Sequence, residues 1–454
     1  MALASAIATG RLSATDAMAN AIAAAEADRF GAIALLLPEL GFAEAGAVDT
    51  AERSEQIFAG VPTLAKDLGG PFAGIPIRAG SAAIAGDPAA DSELAQRFRA
   101  AGFCFFGSTT VPEFGLSLGC QPAIGPVTRN PLAPERIAGG SSGGAAAAVA
   151  SGIVAIAHAT DAGGSIRVPA ACCGLVGLKP SRGAMPGGPS FGNHLGGIAS
   201  ELAMCRSVRD AAAIFESLAG HARAPFPDPA RLAVPQTSLR IGVLTELGPR
   251  YRLDEARELA VLDAAQAFES AGHRLVPLDW SHVDALVAES ARAFDHIVSV
   301  NLAQSFPSGA PSNVEPLTRA VIERGRTLPA TALWDTLNRA VLVSHRLWRL
   351  FDNLDVIITP MLSGPPPLLG HFATDHSDVD AHFEKMTAFA PLAALANVSG
   401  FPALTLPFGA DALGLPMPVQ LLAPFGAEKL LLALAARLES EQRWSHCFPV
   451  AGLS

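Results

Sequence analysis

The sequence is poor in charged residues and poorer still in lysine. Only 16% of its 454 residues are charged, well below the usual quarter, whereas 50% are hydrophobic. That much apolar side chain argues against a chain that stays disordered. The formal net charge of −10 arises without any basic run, which argues against nucleic-acid binding. Because lysine is this rare, each lysine needs its own explanation: Lys66, Lys179, Lys385 and Lys429.

The sequence also lacks the signals of export, membrane insertion and zinc binding. Arg11, Asp16 and Glu26 interrupt the N-terminal apolar stretch, which is not typical of a signal peptide. The longest apolar run, from Gly143 to Ala157, falls short of the ~18 residues that span a bilayer. The six cysteines form no CxxC pair and no zinc spacing. We therefore expect a soluble cytoplasmic protein with free, buried thiols and no bound metal.

Helix-capping residues, glycines and short apolar runs alternate along the chain, as is typical of a layered α/β fold. Ser13, with Asp16 three residues later, predicts a helix that ends at about Ala27. Asp91 is the predicted cap of a second helix, over Ser92–Ala101. The remaining predictions are a helix from Asp254 to Gly272 and strands at Phe103–Phe106, Leu239–Leu244, Arg274–Leu278, Val356–Thr359 and Ala403–Leu406.

No internal repeat and no shift in composition divides the chain. Four prolines between Pro225 and Pro235 indicate a surface connection. We therefore predict one domain over residues 1–454, with that proline-rich connection at about 225–235.

Two glycine clusters between Ile137 and Pro180 carry the chemical signal, and the first of them, Gly139–Gly144, has three interpretations. It can be a flexible loop with no role. It can hold a phosphate, although neither GxxxxGK[ST] nor GxGxxG is present. It can also be the G-x-S-x-G elbow of an α/β-hydrolase. That elbow needs a hydrophobic strand directly before it, and Asn130–Arg136 is typical of turns instead, so the elbow interpretation fails.

The second glycine cluster follows a run that predicts a buried strand over Gly152–Ala159. The run ends at Asp161, and a Gly163-Gly164 turn then presents Ser165. A serine behind two glycines can have its carbonyl target bracketed by consecutive backbone amides, which is the geometry of an oxyanion hole. The sequence therefore favours nucleophilic catalysis by this serine.

A serine hydroxyl needs a base before it acts as a nucleophile, and two residues are candidates for that base. His158 is of the usual type, but its position on a predicted buried strand favours a structural role. Lys66 can serve instead if burial removes its proton, and the apolar lead Val61–Ala65 favours burial. The alternative for Lys66 is an ordinary surface pairing with Asp67. The residues alone leave both interpretations of Lys66 open.

Several motifs, in order along the chain, resemble those of the amidase signature family. They are Val61-Pro62 with Lys66-Asp67, Gly80-Ser81, Asn130-Pro131, GGSSGG at 139–144, DAGGSIR at 161–167, GLKP at 177–180, NVSGFPA at 397–403, GLP at 414–416 and VQL at 419–421. The core of the resemblance lies at about 60–200. It is weak over 239–278 and poor over 284–385. A set of motifs in the right order is far more specific than a single glycine-rich loop.

The resemblance implies a Ser-Ser-Lys triad. Ser165 would be the nucleophile, Ser141 the bridging serine behind a cis peptide bond, and Lys66 the terminal base. This decides the question about the lysine in favour of catalysis. Three backbone amides would bind the oxyanion: Ala162, Gly163 and Gly164.

The resemblance further implies a large mixed β-sheet layered by helices on both faces, and amide hydrolysis through an acyl-enzyme without metal or cofactor. Ser142 and Arg167 would hold loops together, and Lys179 would be structural. Many relatives have Gly-Lys-Thr where this chain has Gly-Ser-Thr at 107–109, and a β-branched residue where it has Ala162. Because the backbone would make the oxyanion contact, the change to alanine should spare the mechanism.

The same resemblance places five residues at the substrate pocket. Phe114 and Gly115 would border it from one side. Phe191, Asn193 and His194 would border it from a loop rich in proline and glycine. That loop departs from its form in the glutamyl-tRNA amidotransferase catalytic subunit.

Three functions fit these residues. The main prediction is a stand-alone hydrolase that cleaves a C–N bond of a small amide with water, with a homodimer as one candidate assembly. The second is a glutamine-hydrolysing subunit of a tRNA-dependent amidotransferase, which would need a dedicated partner. The third is a hydrolytic deaminase of a small amino-dicarboxylate. Four arginines near the motifs could bind such a carboxylate: Arg78, Arg129, Arg167 and Arg182.

Overall fold

The computed structural model describes residues 1–51, 56–186, 194–220 and 238–453. These residues contain fourteen α-helices, many of them begun by the capping side chains that the sequence shows. The helices are α1 (Ala2–Ala8), α2 (Ala14–Glu26), α3 (Pro38–Thr50), α4 (Glu93–Ala100), α5 (Gly143–Ala150), α6 (Arg167–Cys173), α7 (Val208–Leu218), α8 (Glu255–Ser270), α9 (Asp284–Ser305), α10 (Pro316–Thr327), α11 (Ala330–Leu350), α12 (Val379–Phe389), α13 (Ala393–Ser399) and α14 (Glu428–Glu439).

Thirteen strands lie between these helices in the described residues, most of them short and buried. The strands are β1 (Ile33–Leu36), β2 (Val61–Lys66), β3 (Phe103–Thr109), β4 (Arg129–Asn130), β5 (Ala133–Ile137), β6 (Ile156–Asp161), β7 (Val176–Lys179), β8 (Ser200–Cys205), β9 (Arg240–Val243), β10 (Arg274–Pro277), β11 (Val356–Pro360), β12 (Ala403–Ala410) and β13 (Pro416–Leu422). The predicted strands that begin at residues 103, 239, 274, 356 and 403 are all present, with bounds that differ by a few residues.

A mixed eight-stranded sheet dominates the fold, in the order β10-β9-β11-β13-β12-β7-β8-β6. Strand β9 pairs in parallel with both β10 and β11, and the other pairs are antiparallel. This mixed sheet with its layers of helices confirms the predicted fold class. A three-stranded sheet, β1-β3-β2, lies against the β6 edge, where the Thr63 hydroxyl donates to the Ile156 carbonyl at 3.0 Å. This contact brings the C-terminal ends of β2 and β6 together.

Of two helix caps predicted from the sequence, one is confirmed and one is displaced by a residue. The Ser13 hydroxyl accepts the Asp16 amide at 2.9 Å and begins α2, as predicted. The cap of α4 is Ser92 rather than Asp91, because the Ser92 hydroxyl accepts the Ala95 amide at 3.1 Å. The prediction for Asp91 was therefore wrong; its carboxylate serves a neighbouring loop instead.

Two strand predictions also need correction. The strand predicted over Gly152–Ala159 begins only at Ile156, since Gly152 follows α5 with a φ of +86°. The segment Asn130–Arg136, predicted to contain turns only, includes most of β5. That strand pairs only with β4 in a small, half-exposed hairpin. A hydrophobic strand of the large sheet therefore still does not precede the first glycine cluster.

The buried apolar side chains form one continuous cluster that extends from Leu3 to Leu438. A continuous core is what a single domain would have, and the division of the chain into domains stays a prediction. The proline-rich connection predicted at 225–235 lies outside the described residues. All six cysteines are unpaired, and five are buried, whereas Cys447 is exposed. In the described part of the chain, every helix is too short or too polar to cross a lipid bilayer.

Candidate active site

Ser165 lies on the turn that joins β6 to α6. The buried Asp161 carboxylate at the end of β6 accepts the amides of Gly164, Ile166 and Arg167 at 2.7, 3.2 and 3.3 Å. Gly164 has a φ of +114°, a conformation that favours glycine. Because one side chain gathers three amides of the turn, the half-buried serine is held in a fixed place.

The Arg167 guanidinium completes the support of this turn from the other side. Its Nε and Nη2 atoms donate to the two Asp161 oxygens at 2.9 and 3.0 Å, and both side chains are fully buried. It also donates to Gln420 at 2.8 Å and to Asn397 at 2.7 Å. Burial alone would raise the pKa of Asp161, but Arg167 and Asn397 hold it well below its usual range. The geometry thus agrees with the loop-holding role predicted for Arg167.

Replacing Asp161 with asparagine should lower the free energy of unfolding by about 3–5 kcal/mol, because a buried guanidinium then loses its countercharge. Urea unfolding at pH 7 measures the change. The matched control is Asp355→Asn, which removes a carboxylate from a half-exposed pair with Arg240 and should cost much less. Equal losses in the two variants would contradict the structural importance of the buried pair.

Ser141 lies between β5 and α5 and follows Gly140 through a cis peptide bond, as the resemblance implied. The next residue connects this loop with the Ser165 turn. The Ser142 amide donates to the Ser165 carbonyl at 3.3 Å, and the Ser142 hydroxyl donates to the Thr160 carbonyl at 3.2 Å. The two serine loops are therefore held together by Ser142, which agrees with the role predicted for it.

Lys66 is the last residue of β2, and only 3% of its surface is exposed. Its Nζ atom lies 2.9 Å from the Ser141 Oγ atom and 2.7 Å from the Thr160 Oγ1 atom. Burial lowers the pKa of Lys66 to about 8, although the nearby Cys120 and Glu201 act in the opposite direction. A substantial fraction of neutral amine is thus present near pH 8, which is the state that a general base requires.

Asp67 does not pair with the lysine beside it. Its carboxylate accepts the amides of Arg78 and Gly80 at 2.7 and 3.1 Å. The alternative of a surface Lys66–Asp67 pairing is therefore excluded.

Two residues of β6 contact Lys66, and the sequence analysis assigned no functional role to either. Thr160 contacts the amine, and the His158 Nδ1 atom accepts the Lys66 amide at 3.1 Å. The sequence did contain a signal for both residues. His158 and Thr160 are polar positions in an otherwise apolar strand, and residues two apart on a strand share a face. His158 is fully buried and lies beneath the lysine, which agrees with the structural role predicted for it.

Ser141, Thr160 and Ser165 line one cavity of about 320 Å³, a volume typical of small-molecule sites. Asn301 and Ser305 are the other polar side chains of the described lining. None of the lining residues that the structure describes carries a charged side chain. The apolar walls comprise Leu68, Ile77, Ile84, Phe114, Leu116, Leu195, Phe294, Val298, Leu302 and Met386.

One wall of the cavity comes from the region that resembles the family least. Helix α9 contributes Phe294, Val298, Asn301, Leu302 and Ser305 to the lining. Part of the poorly matching segment 284–385 thus lines the same cavity as Ser141 and Ser165. This placement makes α9 a determinant of which molecules fit.

The three amides predicted for the oxyanion hole differ in whether they already donate a hydrogen bond within the protein. The Gly164 amide already donates to Asp161 at 2.7 Å, which argues against its predicted place in the oxyanion hole. Among the described residues, the amides of Ala162 and Gly163 have no hydrogen-bond acceptor, and both residues line the cavity. The arrangement therefore leaves Ala162 and Gly163 as the amides that can face a developing oxyanion.

The predicted pocket residues fall into two groups. Phe114 and Gly115 line the cavity, and Gly115 lies so close to Ser141 that an added Cβ would be 3.2 Å from its hydroxyl. Phe191 and Asn193 lie outside the described residues, and of His194 only the backbone is described, at the start of a short 3-10 helix.

The four arginines predicted as carboxylate ligands are not in the described lining of the cavity. Arg167 is fully occupied by the buried pair described above. Arg182 and Arg129 donate to backbone carbonyls. Arg78 lines a separate cavity on the other side of Asp67. The structure therefore gives no support to recognition of a dicarboxylate by these residues.

The other three lysines are not in the described lining of the cavity. Lys179 is buried and donates to the Pro180 carbonyl at 2.6 Å, and burial lowers its pKa to about 7. Lys385 is exposed and Lys429 half-buried. The part of the chain that the structure describes contains no group of three or more histidine, cysteine or acidic side chains placed to hold a metal ion.

Comparison with known proteins adds independent information. The family model described as Amidase matches residues 14–432. The chain is 37% identical over 464 residues to the protein named amidase AmiC of Mycobacterium tuberculosis, covering 98% of this chain and 94% of the relative. It is 33% identical over 431 residues to the 6-aminohexanoate-cyclic-dimer hydrolase of Paenarthrobacter ureafaciens, covering 85% of this chain and 84% of the relative.

Solved structures show the same relationship. A 6-aminohexanoate cyclic dimer hydrolase superposes with a TM-score of 0.88 at 30% identity, covering 99% of this chain and 97% of that one. A bacterial aryl acylamidase superposes with a TM-score of 0.82 at 24% identity, over 97% of this chain and 95% of that one. The second likeness bears on the fold alone.

Proposed function

The chain belongs to the amidase signature family and is an amide-bond hydrolase, and we propose that it cleaves small neutral amides through an acyl-enzyme on Ser165. The observation that carries this proposal is the 2.9 Å contact between the Lys66 amine and the Ser141 hydroxyl, beside a cavity that Ser141 and Ser165 both line. A buried amine of lowered pKa next to one serine, with a second serine on a fixed turn, is suited to proton relay.

The acylation step begins with attack by the Ser165 hydroxyl oxygen on the substrate carbonyl carbon. Its proton passes to Ser141, whose own proton passes to the neutral Lys66 amine. The amides of Ala162 and Gly163 stabilise the negative charge on the carbonyl oxygen, and one such donor is worth about 3 kcal/mol of barrier. When the C–N bond breaks, the proton returns from Lys66 through Ser141 to the leaving nitrogen, so that an amine departs.

Deacylation repeats the proton path with water. A water molecule adds to the acyl carbon while its proton moves through Ser141 to Lys66. The ester bond to Ser165 then breaks, the serine regains its proton, and the carboxylic acid leaves. The only charges that develop in these steps are the positive charge on the Lys66 amine and the negative charge on the oxyanion.

The cavity lining supports a neutral and largely apolar substrate. A charged group placed there would lose its hydration without an oppositely charged partner among the described lining residues, which costs several kcal/mol. The relatives point the same way, since one is named for hydrolysis of a cyclic dimer of 6-aminohexanoate. A panel of amides matched in size therefore tests the proposal.

We expect neutral aliphatic or aryl amides to be hydrolysed with a kcat/KM at least ~100-fold above that of the same amides bearing a distal carboxylate. Ammonia or amine release by the purified chain, without added partner, measures the rates. Preference for the carboxylate-bearing amides would contradict the proposal and favour a dicarboxylate substrate. Activity that depends on a co-purified partner and on glutamine would instead favour an amidotransferase subunit.

A further inference from the structure

A buried histidine–glutamate pair lies directly beneath the lysine. The His158 Nδ1 atom accepts the Lys66 backbone amide at 3.1 Å, and the His158 Nε2 atom lies 3.0 Å from a Glu201 oxygen. A backbone N–H can only donate, so Nδ1 must be the acceptor and the ring proton must lie on Nε2, facing the carboxylate. Phe72 and Phe98 enclose the ring at centroid distances of 4.9 and 5.7 Å.

The glutamate makes a second connection, to the wall of the cavity. Its two oxygens lie 3.2 and 3.1 Å from the Gly70 amide nitrogen. The two residues before Gly70, Leu68 and Gly69, line the cavity. Glu201 thus contacts both the ring that holds the Lys66 backbone and the loop that follows Lys66.

We propose that His158 and Glu201 are positioning residues that hold the Lys66 base and the Leu68–Gly70 wall as one unit. The proposal rests on the base role proposed above for Lys66. A strand end followed by a loop has no fixed geometry of its own. Here the amides of Lys66 and Gly70 both donate to one buried pair, whose two members are themselves hydrogen-bonded, and this fixes their positions. At metal sites, removing the partners that orient the ligands typically lowers affinity or activity about 10–100-fold, and we expect an effect of the same order here.

The carboxylate also has an electrostatic effect on the base. The titratable groups that face Lys66 are Cys120 from the loop before β4, His158 and Asp161 from β6, and Glu201 from β8. Among them Cys120, Glu201 and Asp161 act to raise the pKa of Lys66, and Asp161 does so while it is itself bound by Arg167. Glutamine at position 201 would keep the shape but remove the charge, so the amine would become neutral at lower pH.

The test compares the pH profiles of kcat/KM for the wild type, Glu201→Gln, Glu201→Ala, His158→Asn and His158→Ala. We expect Glu201→Gln to keep most of its alkaline activity and to shift the acid limb to lower pH. Glu201→Ala should lose about 10–100-fold in kcat. His158→Asn, which can still accept the Lys66 amide, should retain more activity than His158→Ala. The control is Glu439→Gln, which alters a distant carboxylate that accepts the Val208 amide and should change nothing.

Two results keep this proposal separate from the proposed function. If Ser165→Ala retains activity, the proposed function itself is wrong. If Ser165→Ala is inactive but Glu201→Gln and His158→Asn both keep the wild-type kcat and acid limb, only the positioning proposal is overturned. A folded Glu201→Gln variant that loses activity while its acid limb stays in place would also overturn the proposal. A purely structural role would give that result, because loss of structure alone does not move the acid limb.

Discussion

Ser165→Ala should reduce kcat for amide hydrolysis by about 10⁴- to 10⁶-fold, because it removes the atom that forms the acyl-enzyme. Affinity for the substrate should change little, since the missing oxygen is a small part of a largely apolar cavity. Initial rates at saturating neutral amide measure kcat, and equilibrium binding to the inactive variant measures affinity. The unfolding free energy should stay close to that of the wild type, because the serine is half-buried and its hydroxyl supports none of the turn's hydrogen bonds to Asp161.

The matched control for this prediction is Ser217→Ala. Ser217 is also half-buried, but its hydroxyl donates to the Ala213 carbonyl within α7, in a part of the fold that does not line the cavity. That variant should hydrolyse the amide at the wild-type rate. A Ser165→Ala enzyme within tenfold of the wild type would mean that another group is the nucleophile.

Lys66→Met should lower kcat/KM by about 10²- to 10⁴-fold, the usual contribution of a general base. Methionine has a similar length and suits the buried position, so that the main loss is the amine. In the wild type, kcat/KM should rise with pH and level off above about 8, because burial lowers the pKa of Lys66 to about 8 and only the neutral amine accepts a proton. The residual activity of Lys66→Met should lack this acid limb.

Lys179 provides a matched control, since it too is a buried lysine whose pKa burial lowers, to about 7. Its amine donates to the Pro180 carbonyl and does not line the cavity. Lys179→Met should therefore keep the acid limb even if it loses stability. An acid limb that persists in Lys66→Met and disappears in Lys179→Met would mean that Lys179, and not Lys66, is the base.

The sequence predicted the parts of the site that lie in contiguous motifs. Scarcity drew attention to Lys66, and the glycine turn drew attention to Ser165, yet only the resemblance decided between catalysis and a surface pairing with Asp67. The structure places Lys66 against Ser141, 75 residues away in the chain. Spacing within one segment cannot reveal such a contact, because it depends on how β2 packs against β6.

The residues that sequence reasoning missed are held by the same long-range packing. Glu201 reaches His158 only because β8 pairs with β6, and it reaches Gly70 only because the loop after β2 passes over that pair. The structure argues against Gly164 in the oxyanion hole for a related reason. Its amide faces inward to Asp161, and the direction of one amide in a tight turn is not written in its residue type.

The direct test of the account is to identify the serine that becomes covalently modified. The purified protein is treated with a phenylmethylsulfonyl-type reagent, digested, and analysed by peptide mass spectrometry. We predict that the added mass lies on Ser165, that hydrolysis stops as the label accumulates, and that Lys66→Met labels much more slowly. Labelling of Ser141 or Ser142, or complete inactivation without any labelled serine, would contradict a mechanism built on Ser165.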